Sequence, residues 1–377
     1  MTDIKFLFPI DGDFVNSRDG EWKDGALNVE FLIKADGVPT VNGVTAQYCE
    51  KRDCYCATVA LYGYRNAVVA KVGDTEQKIT VFVMAEKNLK KYRLSSDDNI
   101  RFLKELTEND YKSIFDHPYL AVYKKAHDLY GAKVHINIHY EFCDEGREKF
   151  SDRHEYFNLS MMTDRYKDEF VANSDWLKLA FHSKAEYPDK PYKYADRETV
   201  RRDCTEILRE ICRFAGRECI SNSTTVHWGE GNREVIRELR SLGFTSLTGY
   251  FTFNKDETPL VSYYHEKDAV AHLGARDFWM DTSEDMIFGR IDHVLNGGTY
   301  ESVIAAVTEA ADDPHRGGFV SIMIHEQYFY PDYINYRPDF EARVLDSCKI
   351  LAERGYEGAL INEVVREPNL NENPNLK

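Results

Sequence analysis

The 377 residues carry 48 Lys and Arg against 64 Asp and Glu, a formal charge of -16, which argues against a broad nucleic-acid or anionic-membrane surface because both need basic patches. Hydrophobic residues make up 43% and charged residues 30%, and no stretch approaches the roughly 20 apolar residues of a membrane span. A soluble globular chain with one large and one smaller domain is expected.

The opening MTDIKFLFPIDGDF lacks a basic start followed by an apolar run, so a cytoplasmic location is expected. The eight cysteines include no CxxC pair and are expected to be reduced. Residues 1–88 alternate short β-branched and aromatic runs (Lys5 to Phe8, Leu27 to Ile33, Ala57 to Tyr62, Ala67 to Val72, Lys78 to Met84) with turn clusters such as Asp11-Gly12-Asp13 and Asp36-Gly37. That texture predicts a small all-β sandwich. VNGVTAQ, YCATVALYGYRNAVVAKVGD and KITVFVM resemble the bacterial Ig-like modules attached to carbohydrate-active enzymes, although Tyr64 and Arg65 separate Gly63 from Asn66.

After the charged hinge Glu86 to Lys91 the pattern changes to strands and amphipathic helices. A helix follows Pro118 and stops at Gly131; the strand Ala132 to Tyr140 comes next. The run Trp176 to Phe181 reads as a buried strand, and a helix from about Arg197 to Ala215 buries Val200, Cys204, Ile207, Leu208, Ile211 and Phe214. Further helices are expected from Asn232 to Gly243, near 300–311 and near 338–354, with strands at Phe244 to Leu247 and Gly318 to Ile324. This order predicts an α/β fold over 89–377, a deformed (β/α) barrel of about seven strands with its chemistry at the C-terminal strand ends.

Three polar clusters fall at such ends: Ser95-Ser96-Asp97-Asp98-Asn99, the stretch HSKAEYP from His182 to Pro188, and Ser321 to Glu326. Adjacent carboxylates allow one to ligate a cation while the other takes a proton, yet Asp98 or Asn99 would equally cap a helix starting at Ile100. His182 and Glu186, four residues apart, suit two ligands on one ion or an ordinary polar loop. His325 suits a general acid or a buried histidine bonded to a carbonyl. His135 and His139 share one strand face and could line the interior, although a packed histidine is the commoner case. His154, His265, His272, His293 and His315 read as solvent-facing.

The order of these clusters resembles the polysaccharide deacetylase superfamily, the NodB-like carbohydrate esterases. SSDDN resembles its Thr-Phe-Asp-Asp-Gly, HSKAEYP its His-Ser/Thr-x-x-His-Pro, VHWGEGN its Arg-Pro-Pro-Tyr-Gly, and Met323-Ile324-His325 its Leu-x-His. The resemblance implies a metal-dependent hydrolase that removes N- or O-acetyl groups from a poly- or oligosaccharide by a metal-activated water. Asp97 would be the base, His325 the acid, and Asp98, His182 and Glu186 the ligands of a divalent ion. Zinc is expected first, with manganese, cobalt, nickel or magnesium as alternatives. The family's base-orienting arginine falls on Thr225, with His227 the nearest substitute, and Asp277 to Asp281 is a loose stand-in for its Asp-x-x-Asp-Trp. His227, Trp228, Asp277, Trp279, Glu326 and Tyr328 are candidates for contact with the carbohydrate. The alternatives are a glycosidase using a carboxylate pair such as Asp97 and Glu326, and a barrel that only binds oligosaccharide.

Overall fold

A computed structural model describes residues 4–142, 150, 155–313 and 317–365; Cys143, His154 and His315 lie outside them. Among the first 84 residues, one sheet carries Ile4–Phe8, Gly20–Lys23, Ala26–Ala35, Gln47–Cys49 and Cys54–Leu61. A second carries Phe14–Val15, Thr40–Val41, Val44–Thr45, Arg65–Val72 and Thr75–Val83. Alternation explains their packing, since successive side chains of a strand point to opposite faces. Val29, Phe31, Ile33, Ala57, Val59 and Leu61 of the first sheet share one core with Val41, Val68, Ala70, Ile79 and Val81 of the second. Fully burying each larger side chain is worth roughly 1.5–3 kcal/mol. The Asn42-Gly43 pair joins two of these strands with φ of 47° and 84°, the left-handed pair that a two-residue hairpin requires.

From Lys91 onward the structure is a mixed α/β arrangement built on parallel strands. One sheet runs in the order Leu177–Ser183, Val134–His139, Lys91–Asn99, Phe319–His325, His293–Val294, all parallel, with Glu357–Gly358 beside the start of Lys91–Asn99. The other orders Ser223–Thr224, Ser246–Gly249, Met286–Arg290 and Phe278–Asp281, the last antiparallel. Two seams link the sheets. The chain crosses from one to the other between Met286–Arg290 and His293–Val294, where Ile291 N–H donates to Gly249 O and Asp292 N–H to Ser321 O. On the other side, Ser221 N–H donates to Leu179 O at 2.9 Å.

The principal helices are Arg101–Glu108, Pro118–Tyr130, Arg197–Phe214, Arg233–Ser241, Tyr300–Asp312 and Phe340–Glu353. Pro118 opens its helix where a missing N–H costs nothing, and Gly131 ends it at φ 65°, a conformation cheap only for glycine. Asp196 and Asn232 cap their helices by accepting from Thr199 N–H and Val235 N–H. None of the described helices is long and apolar enough to cross a membrane. The two halves meet through an apolar cluster of Phe14, Phe82 and Met84 with Phe278, Ile287, Phe319, Ile361 and Val365. Polar contacts add to it, with Arg276 donating to Asp19 and to Phe14 O.

Three histidines expected at the surface are placed otherwise. His265 is buried among Tyr264, Trp279 and Phe288, His272 bonds the buried Asp13 at 2.5 Å, and His293 is half-buried in a parallel strand. For His265 and His272 the cover comes largely from Trp279, Phe288 and Asp13, distant in sequence, which local polarity cannot reveal.

Candidate metal centre

The strand Lys91–Asn99 lies in the middle of its sheet, and its last residues reach a cleft of about 310 Å³. Adjacent strand residues normally face opposite sides, yet Asp97 and Asp98 both line this cleft. A register shift between Ser96 and Asn99 and a φ of 61° at Asp98 account for it. Such a bulge re-aims a side chain at the cost of an uncommon backbone conformation for a non-glycine residue. The helix that follows is not capped by Asp98 or Asn99. The Glu326 carboxylate accepts Ile100 N–H at 2.7 Å, Arg101 N–H at 2.9 Å and Phe102 N–H at 2.7 Å.

Three histidines converge on Asp98. His182 Nε2 lies 2.9 Å from Asp98 Oδ1 and His227 Nδ1 lies 3.1 Å from it. His139 Nε2 is 3.6 Å from the same oxygen, and the four ligand atoms all lie within 4.8 Å of one another. Each histidine comes from a different element: His139 ends Val134–His139, His182 precedes the last residue of Leu177–Ser183, and His227 opens the short turn after Ser223–Thr224. All three are buried, and Gln327 Nε2 donates to Asp98 Oδ2 at 2.8 Å.

The remaining ring nitrogens fix the tautomers. His182 Nδ1 faces Thr225 O at 2.5 Å and His227 Nε2 faces Glu186 O at 3.0 Å. A carbonyl only accepts, so both nitrogens carry protons and leave His182 Nε2 and His227 Nδ1 as lone pairs. Ser183 Oγ donates to Ala185 O and therefore accepts from His139 Nδ1–H at 2.8 Å. His139 Nε2 then points inward, fully enclosed and without a hydrogen-bond partner among the described residues. The lone pairs of His182 Nε2 and His227 Nδ1 lie 3.1 Å apart, a repulsive arrangement that a cation between them relieves. Imidazole and carboxylate donors with outer acceptors fixing each ring fit a divalent transition-metal ion.

The electrostatics agree with the crowding. Burial pushes the Asp98 carboxyl up, but the rings of His139, His182 and His227 against it and the charge of His325 hold it well below the usual carboxylate value. Burial pulls His139 down, whereas Asp98 and Glu186 outweigh that and raise it to about 9. Burial lowers His182 despite Asp98. Glu186 stands outside the four-atom cluster, its Oε2 3.7 Å from His139 Nε2. Burial and Asp98 push its carboxyl up, and the nearby His139 with the charges of His139 and His227 brings it below the usual value.

Asp97 and His325 are register partners on neighbouring strands and line the cleft together. Asn137 Nδ2 donates to Asp97 Oδ1 at 2.6 Å. Thr225, which stands where an orienting arginine was sought, instead meets Thr248 through its hydroxyl at 2.6 Å. Asn296 Oδ1 accepts from His325 Nδ1–H at 2.8 Å, and His325 Nε2 lies 3.9 Å from Asp98 Oδ2. Trp228, with φ 65° and half its ring exposed, Tyr328, Tyr250 and Tyr333 form aromatic walls.

Asp97, Asp98, His182, Glu186, His227, Trp228, Tyr328 and His325 are therefore brought together. Asp277, Trp279 and Glu326 are not among the residues lining the cleft. Asp277 accepts Phe319 N–H at 3.0 Å, Trp279 donates to Asp11 O at 2.8 Å, and Glu326 is the buried helix cap. These contacts engage all three within the protein, Glu326 with both carboxylate oxygens on backbone N–H groups at the helix start. His139 and Asn137 were missed as site residues. Their signal was the alternation His135, Asn137, His139 in an otherwise apolar strand that is buried throughout.

No family model matches the chain, and no curated protein does. Eighteen chains of known structure are similar to it. They include a CE4 family pseudoenzyme from Bacillus anthracis, 9% identical, covering 85% of this chain and 89% of that one with a TM-score of 0.35. A family 4 acetyl xylan esterase from Clostridium thermocellum, in complex with a cobalt ion, is 14% identical, with 72% and 88% covered and a TM-score of 0.37. The CE4 domain of a multidomain xylanase from the hindgut metagenome of Trinervitermes trinervoides is 11% identical, with 72% and 87% covered and a TM-score of 0.34.

Proposed function

We propose that the chain is a divalent-metal-dependent hydrolase that removes N- or O-acetyl groups from a poly- or oligosaccharide, on a deformed (β/α) barrel carrying an N-terminal Ig-like accessory domain over residues 1–88. The observation that carries this reading is the convergence of Asp98, His139, His182 and His227, with Asp97 and His325 on the same cleft. The motif order along the sequence supports the acetyl-carbohydrate class. Trp228, Tyr328 and Tyr333 give flat apolar faces suited to sugar rings.

A divalent ion held by Asp98, His139, His182 and His227 would supply Lewis-acid polarisation of the acyl carbonyl and acidify a water. The residues do the rest. Asn137 holds Asp97 by one carboxylate oxygen, orienting it to take the proton of the attacking water as general base. His325, turned by Asn296 so that Nε2 faces the cleft, gives a proton to the departing amine or alkoxide as the tetrahedral adduct collapses. Deacetylation of acetylated chito- and xylo-oligosaccharides, with and without chelation, tests this. Acetate release that stops with chelator and returns with zinc, cobalt, manganese or nickel supports it. Glycan binding with no acetate release under any metal selects the purely binding alternative.

A further inference from the structure

Three cysteines gather away from the cleft, on the first β-sheet. Cys49 and Cys54 are direct partners across the antiparallel pair Gln47–Cys49 and Cys54–Leu61, joined by the turn Glu50–Arg52 and Asp53. Cys56 lies two residues further along the same strand, opposite Gln47. Ala57, Val59 and Leu61 belong to the sandwich core, so alternation puts Cys54 and Cys56 on the opposite face of the sheet, where Cys54 is buried and Cys56 half-buried. Cys49, opposite Cys54, faces the same way. Directly opposed residues of an antiparallel pair have Cα atoms about 4.5 or 5.5 Å apart, within the roughly 4.4–6.8 Å that a disulfide spans. All three are free thiols.

Their environments differ in a way that orders their reactivity. Cys49 is only partly covered, and the neighbouring Arg52 holds its thiol below the ordinary thiol range. Arg52 is itself anchored to Glu30 at 2.6 Å. Burial and the neighbouring Cys54 push Cys56 up to about 11. The thiolate is the nucleophile in exchange, so Cys49 reacts first and the thiols beside it resolve.

We propose that Cys49, Cys54 and Cys56 form a reactive thiol site, which small-molecule disulfides of the glutathione class oxidise to an intrachain bond between Cys49 and a thiol of the facing strand. Cys49 thiolate attacks one sulfur of the small disulfide, whose S–S bond breaks to expel one small thiolate and leave a mixed disulfide. Cys54 or Cys56 loses its proton to solvent and attacks Cys49 Sγ, expelling the second small thiolate. Two protein thiols are oxidised and one small disulfide is reduced to two thiols.

The test treats the folded full-length chain with oxidised glutathione, alkylates the remaining thiols, cleaves with trypsin at Lys51 and Arg52, and maps the peptides by mass spectrometry. A cross-link from the Cys49 peptide to the one holding Cys54 and Cys56 is expected, reversed by dithiothreitol and lost in Cys49→Ser. The double variant Cys54→Ser, Cys56→Ser should stop at a stable glutathione adduct on Cys49. The buried Cys204, Cys219 and Cys348 should remain unreacted until the chain is unfolded. A stable adduct on Cys49 in the unaltered chain, or recovery of Cys49, Cys54 and Cys56 all as free thiols, would overturn the proposal.

Discussion

His182 Nε2 and His227 Nδ1 face each other at 3.1 Å, and both also lie within 3.1 Å of Asp98 Oδ1. Their other nitrogens give their protons to Thr225 O and Glu186 O, so each inward nitrogen offers only a lone pair. Removing either ring should therefore remove a ligand. His182→Ala and His227→Ala are each expected to weaken zinc binding by about 100-fold or more, an estimate set above the 10–100-fold effect of losing an outer partner. Titration calorimetry with zinc chloride measures it, and wild-type affinity in both variants would exclude them as ligands.

His139 and Glu186 separate two versions of the site. The cluster assigns the remaining ligand position to His139, with Glu186 Oε2 3.7 Å from its Nε2. His139→Ala should cost zinc more affinity than Glu186→Gln, the reverse of what a strict His-x-x-x-Glu ligand pair would give. Ser183→Ala, which takes away the acceptor of His139 Nδ1–H, should lower affinity about 10–100-fold without touching any ligand.

His139 is raised to about 9 by Asp98 and Glu186, so in the metal-free chain at pH 7 a proton occupies Nε2. A raised histidine stabilises the fold fully below its unfolded value near 6.5, and that contribution fades as pH climbs through about 9. Metal must displace this proton. Zinc affinity should rise from pH 6 towards pH 9, and calorimetry at pH 7 in buffers of different ionisation enthalpy should show about one proton released from His139 per ion bound. Binding independent of pH over that range would contradict the assignment.

Asp97→Asn and Glu326→Gln should behave in opposite ways. Asp97→Asn keeps the cluster and loses the base, so acetate release is expected to fall about 10²–10⁴-fold while zinc binding persists. Glu326→Gln weakens a charge-assisted cap on three N–H groups and should destabilise the chain by about 1–3 kcal/mol, seen as a lower denaturation midpoint, with acetate release per folded molecule retained. Loss of acetate release in folded Glu326→Gln would place Glu326 in the catalytic machinery and contradict its role as a helix cap alone.

Long periodic elements were legible in the sequence. The helices expected at Arg197 to Ala215, near 300–311 and near 338–354 run Arg197–Phe214, Tyr300–Asp312 and Phe340–Glu353, because their apolar spacing repeats over several turns and Gly216 and Gly355 stop two of them. The short strands of the first sheets, such as Phe14–Val15 and Gln47–Cys49, carry two or three residues and too little pattern to find. Within the site, Asp98 and His182 meet and Asp97 and His325 share the cleft wall, since each lies within the last three residues of a parallel strand. His139 escaped because its partners are Ser183 and Asp98, residues 44 and 41 positions away, and the alternation His135, Asn137, His139 does not by itself say which histidine meets them. Glu326 looked catalytic beside His325, whereas the fold turns it to a helix that starts more than 200 residues earlier.

Metal content tests the central claim most directly. The full-length chain, stripped with chelator, re-equilibrated with zinc and desalted, is measured by plasma mass spectrometry beside His182→Ala and His227→Ala. About one zinc per wild-type chain, lost from both variants, is the predicted result; a wild-type chain that retains no zinc, or variants that retain as much as wild type, would contradict the account.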